Sequence, residues 1–245
     1  MKKVILIIVE GQTEEAIFFD YLQERFTDAE VRIHVQAGDV LSDLRNKKNI
    51  KKVVGQLIRD YLEKYRFLPH DVLAVLHFTD TDGCFVVDDQ VVVDSTAEKN
   101  LFYDEESIVV PDDNKKQMIQ QRNEQKAQNI RILFADHHFS IRSIKIPYQL
   151  YYFSTNLDHV LWDERNTKGY EKLEKVDKFL EQFHANIDQF LWQFVEGKQE
   201  GVYTEKYKHS WEYIMESNHS LSRKTNMPFL LEMIDTLSSE PFSSN

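Results

Sequence analysis

The sequence predicts an α/β protein: a mainly parallel sheet flanked by helices, followed by a helical C-terminal region. Three observations predict it. Residues 3–9 (KVILIIV) and 72–79 (VLAVLHFT) are continuous apolar runs rich in β-branched residues, the pattern of strands buried on both faces. Between them lie a helical pattern, an alternating strand and a second helical pattern. That β-α-β-α-β order belongs to a parallel sheet covered by helices. From Leu157 onward the apolar spacing is helical.

Each element has its own signal. In TEEAIFFDYLQERF (13–26), Ala16, Phe18, Phe19, Leu22 and Phe26 recur at helical spacing. Thr13 is the expected N-cap, and Glu14 and Glu15 suit the positive end of the helix dipole. VRIHVQ (31–36) alternates as a strand does, and residues 49–67 form an amphipathic helix. FVVDDQVVVD (85–94) reads as an antiparallel hairpin turning at Asp88, Asp89 and Gln90, and residues 95–113 as irregular chain. A helix follows at about 114–129, then a strand within SIKIPYQLYYFS (143–154). Residues 168–197 form one long helix or two abutting ones, with Phe179, Phe183, Phe190, Trp192 and Phe194 mostly at core spacing. Helices are expected again at 207–218 and 226–237. The boundary falls near residue 155, between a metal-binding α/β domain (1–155) and a helical region (156–245) of unassigned role.

Composition narrows the class. With 42% hydrophobic residues, 7 Gly and 5 Pro in 245 residues, the chain has material for a core and little for disorder. One cysteine, Cys84, excludes an intrachain disulfide framework and a thiolate zinc site, which fits a reducing cytosol. The N-terminal VILIIV run ends at Glu10, too short for a signal-peptide core, and no run reaches the roughly 20 apolar residues of a membrane span. The expectation is a soluble cytoplasmic protein with no membrane partner. A net charge of −11 argues against a broad nucleic-acid-binding face, so any nucleic acid must be held by a local patch, a bound metal or a partner.

Three carboxylates carry the chemistry. Glu10 follows the first buried strand, and Asp80 and Asp82 follow the third. In an open parallel sheet, ligands bind beyond the carboxyl ends of the strands, so all three belong to one edge. Asp80 and Asp82 are two apart, and in extended backbone they point to the same side. The result is an all-oxygen set suited to Mg²⁺ or Mn²⁺. Gly11 and Gly83 permit sharp turns beside it.

VILIIVEGQTEEAIFF with AVLHFTDTDG resembles the TOPRIM domain of topoisomerases, primases and OLD-family nucleases, over roughly residues 1–95. VEGQTEE is most similar to the OLD-type and standalone TOPRIM nucleases of bacterial phage defence. The resemblance implies a metal-dependent nuclease in which Glu10, Asp80 and Asp82 are catalytic and hold the metal, with Glu14 assisting. It also implies a partner ATPase, because no GxxxxGK[ST] string occurs in this chain. Two other phosphoesterase classes share part of the pattern. HFTDTDG with ADHHF resembles the DHH phosphoesterases, which would gather His77, Asp80, Asp82, Asp136, His137 and His138 at one centre. DTDG also resembles the haloacid-dehalogenase phosphatases, although their later acidic pair has no counterpart. A third reading is a non-catalytic TOPRIM-fold interaction module. In the C-terminal half, Asn156, Asp158 and His159 follow the last strand, and His219, Arg223 and Lys224 are candidate phosphate donors. Capping and surface roles compete for all of them.

Overall fold

A computed structural model describes residues 3–36, 39–46, 49–97, 99–197 and 200–239. The chain runs β1 (Lys3–Val9), α1 (Gln12–Arg25), β2 (Ala29–Val35), α2 (Ile50–Tyr65) and β3 (Val72–Asp80). Then come β4 (Val91–Val93), β5 (Phe102–Tyr103), β6 (Ile108–Val110), α3 (Asp113–Phe134), β7 (His138–Ile141) and β8 (Ile144–Phe153). The rest is helical: α4 (Leu157–Trp162), α5 (Lys172–Phe183), α6 (Ile187–Trp192), α7 (Tyr203–Ile214) and α8 (Phe229–Ser239).

The main sheet has the order β2-β1-β3-β8-β7. Its first four strands are parallel, and β7 closes one edge antiparallel to β8. The expectation of a mainly parallel sheet flanked by helices therefore holds. β1 lies between β2 and β3, and every residue from Val4 to Val9 is buried. That is why its sequence is apolar without alternation. Phe18 of α1 stacks on Phe153 at 5.6 Å and meets Phe78 edge-on at 5.6 Å, fastening α1 over β3 and β8. Phe179, Phe183, Phe190 and Phe194 pack tilted or edge-on against one another in the packing role expected of them. No helix among the described residues is long and apolar enough to cross a membrane.

Four local expectations are corrected. The 85–94 hairpin does not form. Val86 N–H donates to Gly83 and Phe85 N–H to Ser220 Oγ, so the donors a hairpin needs are already used. Asp88–Gln90 is instead a single 3₁₀ turn, and β4 pairs parallel with β6. The segment 95–113, read as irregular, supplies β5 and β6, which complete a three-stranded sheet ordered β4-β6-β5. The N-cap of α1 is Gly11 rather than Thr13. Helix α3 is longer than 114–129, starting after the Asp112 cap, whose carboxylate accepts from Lys115 N–H at 2.8 Å.

Where β7 ends, the outer edge of β8 would be left without partners. The C-terminal region supplies them. Leu150 O accepts from Tyr207 Oη at 2.7 Å and from Trp211 Nε1 at 3.2 Å. Tyr152 N–H donates to Asn226 Oδ1 at 2.9 Å, and Thr225 Oγ1 donates to Tyr152 O at 2.6 Å. Ser154 N–H continues the series to Lys224 O at 2.8 Å. Residues from both sides of position 155 share the main hydrophobic core. Asn226 is fully buried and also donates to Ser210 Oγ at 3.1 Å. Asn226→Ala orphans the Tyr152 N–H, and urea melts are expected to register a loss of about 1–3 kcal/mol.

Candidate metal centre

Because β1 and β3 are parallel neighbours, with Ile8 opposite His77, their carboxyl ends emerge together. Glu10 and the Asp80–Thr81–Asp82 turn share that edge as expected. β2 ends there as well, with Val35 opposite Val9, and the chain beyond it brings in Asp39. Asp39 was not among the sequence candidates. The sheet-edge argument used for β1 and β3 applies equally to β2, and that was the available signal.

Carboxylate oxygens of Glu10, Asp39 and Asp82 come within 4.8 Å of one another. Asp80 is not in that group. Asp82 has φ 50° and Gly83 has φ 65°, both left-handed, so the alternation that would aim Asp80 and Asp82 alike ends at Thr81. Asp82 Oδ1 accepts from Tyr103 Oη at 3.1 Å. Asp80 Oδ1 instead accepts the Leu157 N–H at 2.9 Å, at the start of α4. Glu14 is buried in the first turn of α1, and burial raises its pKa above the ordinary value. Near it, Asp158 pairs with Lys172 at 2.8 Å. The predicted carboxylates thus divide into Glu10 and Asp82, which join Asp39, and Asp80 and Glu14, which lie beside that group.

The Asp39 group encloses a lysine. Lys126 Nζ lies 2.6 Å from Asp82, 2.9 Å from Asp39 and 3.4 Å from Glu10, with its side chain 0% exposed. Sequence reasoning missed it because the helix around it is polar. Yet Ile119, Asn123, Lys126, Ile130 and Leu133 form the buried stripe of α3 at helical spacing. Burial alone would push the Lys126 pKa down, but Asp39, Asp82 and Glu10 hold it well above its ordinary value. Burial would raise Asp39, but Lys126 and Ser42 bring it to about 2. Glu10 goes the other way. Burial raises it to about 8 against the pull of Lys126, with Asp39 and Asp82 adding repulsion. Thr79 Oγ1 donates to Glu10 Oε1 at 2.5 Å. Asp80 is raised well above its ordinary value by burial, then by Glu10, Glu14 and Asp82.

The DTDG turn rests on the C-terminal region. Thr81 Oγ1 donates to Ser220 O at 2.9 Å, and Asp82 N–H donates to Thr155 O at 2.7 Å. Arg122 donates to Asp82 O at 2.9 Å and to Tyr103 Oη at 3.1 Å, linking the small sheet to the turn.

The remaining candidates lie elsewhere. Asp136 pairs with Lys51 at 2.7 Å, and His137 and His138 are exposed. His77 is fully buried between Gln36 and Tyr148, 2.8 Å from each, and burial lowers its pKa to about 3. The DHH set therefore does not converge. Asn156 caps α4, accepting from His159 N–H at 2.9 Å. His159 is buried against Thr155 at 3.1 Å, and burial lowers its pKa to about 4. His219 stacks on Tyr213, and Lys224 pairs with Glu196. Arg223 donates to Val160 O at 3.0 Å and Leu161 O at 3.2 Å, at the C-terminal end of α4. Of these candidate phosphate donors, His219 thus sits in a 3₁₀ turn and Arg223 serves α4.

Compared with known protein families, curated proteins and solved structures, the chain matches none.

Two outcomes follow from this geometry. A Cβ on Gly83 would lie 2.7 Å from Leu221 Cδ2 in a left-handed turn. Gly83→Ala is expected to cost about 1–3 kcal/mol in a denaturant melt. Glu10 binds its proton more tightly folded than unfolded, since its pKa rises from 4.5 to about 8. Its contribution is therefore fully present below pH 4.5 and lost as pH rises through 8. In chelator, stability should fall across that window by at most about 1.4 kcal/mol per pH unit from this group. Glu10→Gln should remove that part of the slope.

Proposed function

We propose that this chain is a metal-dependent phosphodiesterase of TOPRIM type acting on nucleic acid. The observation that carries the reading is the meeting of Glu10 and Asp82 with Asp39, within 4.8 Å, beyond the carboxyl ends of adjacent parallel strands. A buried ammonium already held by these oxygens is a cation in that position, so the donor set fits positive charge. Its all-carboxylate chemistry suits Mg²⁺ or Mn²⁺. Glu10, Asp39 and Asp82 would hold the ion, with Asp80 and Glu14 alongside. When bound, such an ion supplies charge stabilisation to a phosphodiester and lowers the pKa of an attacking water.

The protein's own residues do the orienting. Thr79 fixes one oxygen of Glu10, and Tyr103 fixes Oδ1 of Asp82. The Leu157 amide holds Asp80 at the mouth of α4. With a net charge of −11, most of the affinity for nucleic acid is assigned to a partner. A P-loop ATPase, as in OLD-type phage-defence systems, is the partner class this reading implies.

The DHH alternative loses support because Asp136 is engaged by Lys51 and His77 by Gln36 and Tyr148. A haloacid-dehalogenase phosphatase would need Asp80 as a free nucleophile, whereas one of its oxygens accepts the Leu157 amide. The non-catalytic module is favoured by one observation, the lysine that already occupies the carboxylate group.

Incubation of the pure protein with labelled DNA and RNA in Mg²⁺ or Mn²⁺ separates these readings. Wild type should cleave one of them. Glu10→Gln and Asp82→Ala should be slower by roughly a hundredfold or more. His137→Ala and His138→Ala should keep most activity. A folded, active Glu10→Gln beside a dead histidine variant would replace the TOPRIM reading with the DHH one.

A further inference from the structure

Lys126 does more than balance charge. Its N···O distances of 2.6, 2.9 and 3.4 Å are those of an ammonium ion in a cage of oxygens. Mg²⁺ requires about 2.1 Å to each oxygen. An ion at that distance from Asp82, Asp39 and Glu10 would lie against the ammonium, and two cations do not share one small buried site. Nor is the ammonium loosely placed. Its side chain is 0% exposed, and α3, which carries it, is fixed at either side. Arg122 and Asn123 tie that helix to the DTDG turn, and Asn129 Nδ2 donates to Leu41 O at 2.8 Å, beside the loop that carries Asp39.

We propose that Lys126 is a tethered cation that fills the divalent-metal position, so that an incoming ion must displace its ammonium. It thereby sets the affinity of the centre. This rests on the metal-centre reading above. Three carboxyl groups face one ammonium, so the cage retains a preference for more positive charge than the lysine brings. The ammonium partly compensates the carboxylates in the metal-free protein, and the centre fills only when free metal is high enough to expel the side chain.

The experiment is a calorimetric titration with Mn²⁺ alone, at neutral pH, on wild type, Lys126→Met and Lys126→Arg. Methionine keeps the length of the stem and removes the charge. Lys126→Met should bind Mn²⁺ about tenfold or more tightly than wild type, while Lys126→Arg stays at or below it. Equal or weaker binding by Lys126→Met, with wild type binding, overturns the displacement proposal and leaves the metal centre standing. Absence of binding in wild type and Lys126→Met alike overturns both. If Lys126→Met does not fold without metal, the wild-type protein answers by NMR. A buried lysine ammonium gives a protected ¹⁵N–¹H₃ signal, and Mg²⁺ should abolish its protection. An unchanged signal at saturating Mg²⁺ overturns the proposal.

Discussion

A charged ammonium with no exposure to solvent is tolerated only where its partners are held rigidly. Removing one partner of a buried ion pair costs about 3–5 kcal/mol, because the remaining charge has no water to turn to. Lys126 imposes that constraint on the whole carboxylate-bearing edge of the sheet. Its partners come from the ends of β1 and β3 and from the chain that follows β2, while α3 supplies the lysine itself. Four parts of the chain must arrive together for any of them to be stable. The left-handed backbone at Asp82, the position of the Asp39 loop and the packing of α3 on the sheet answer to that requirement.

The same edge is supported from behind by the C-terminal region. Ser220 accepts from Thr81 and Thr155 through its carbonyl and from Phe85 through its hydroxyl. Leu221 inserts into the core of the small sheet, beneath Gly83. Tyr103 of that small sheet then reaches forward to Asp82. The helical region is thus the floor on which the DTDG turn stands, and it completes the hydrogen bonding of β8 where β7 stops. A polar string such as ESNHSLSRKTN, which reads as a set of phosphate donors, is spent on these internal bonds.

Electrostatically, the centre has two different halves. Glu10, Asp39 and Asp82 are partly offset by the single ammonium of Lys126, and Asp158, near Glu14, pairs with Lys172. Asp80 stands beside both, half-buried, with Glu10, Glu14 and Asp82 all opposing its charge. Such frustration of negative charge is what a divalent cation relieves, and it explains why so acidic a chain can still be read as handling a phosphodiester.

How much of this was legible follows from the range of each interaction. Burial of β1, β3 and β8 on both faces is written in runs of neighbouring residues, so the sequence alone determined the parallel sheet, its order of elements and the edge where Glu10 and Asp80–Asp82 emerge. The small sheet was not legible. FVV and VVV look like a hairpin, but Phe85 N–H is taken by the distant Ser220 Oγ and Val86 N–H by Gly83 O. Asp39 and Lys126 were decided by tertiary structure for the same reason. The lysine lies 116, 87 and 44 residues from its three acids, and no local pattern distinguishes a lysine on a polar helix that faces water from one that faces carboxylates. Hydrophobic periodicity is a property of adjacent positions, whereas the pairing of buried charges is a property of the folded arrangement that brings them together.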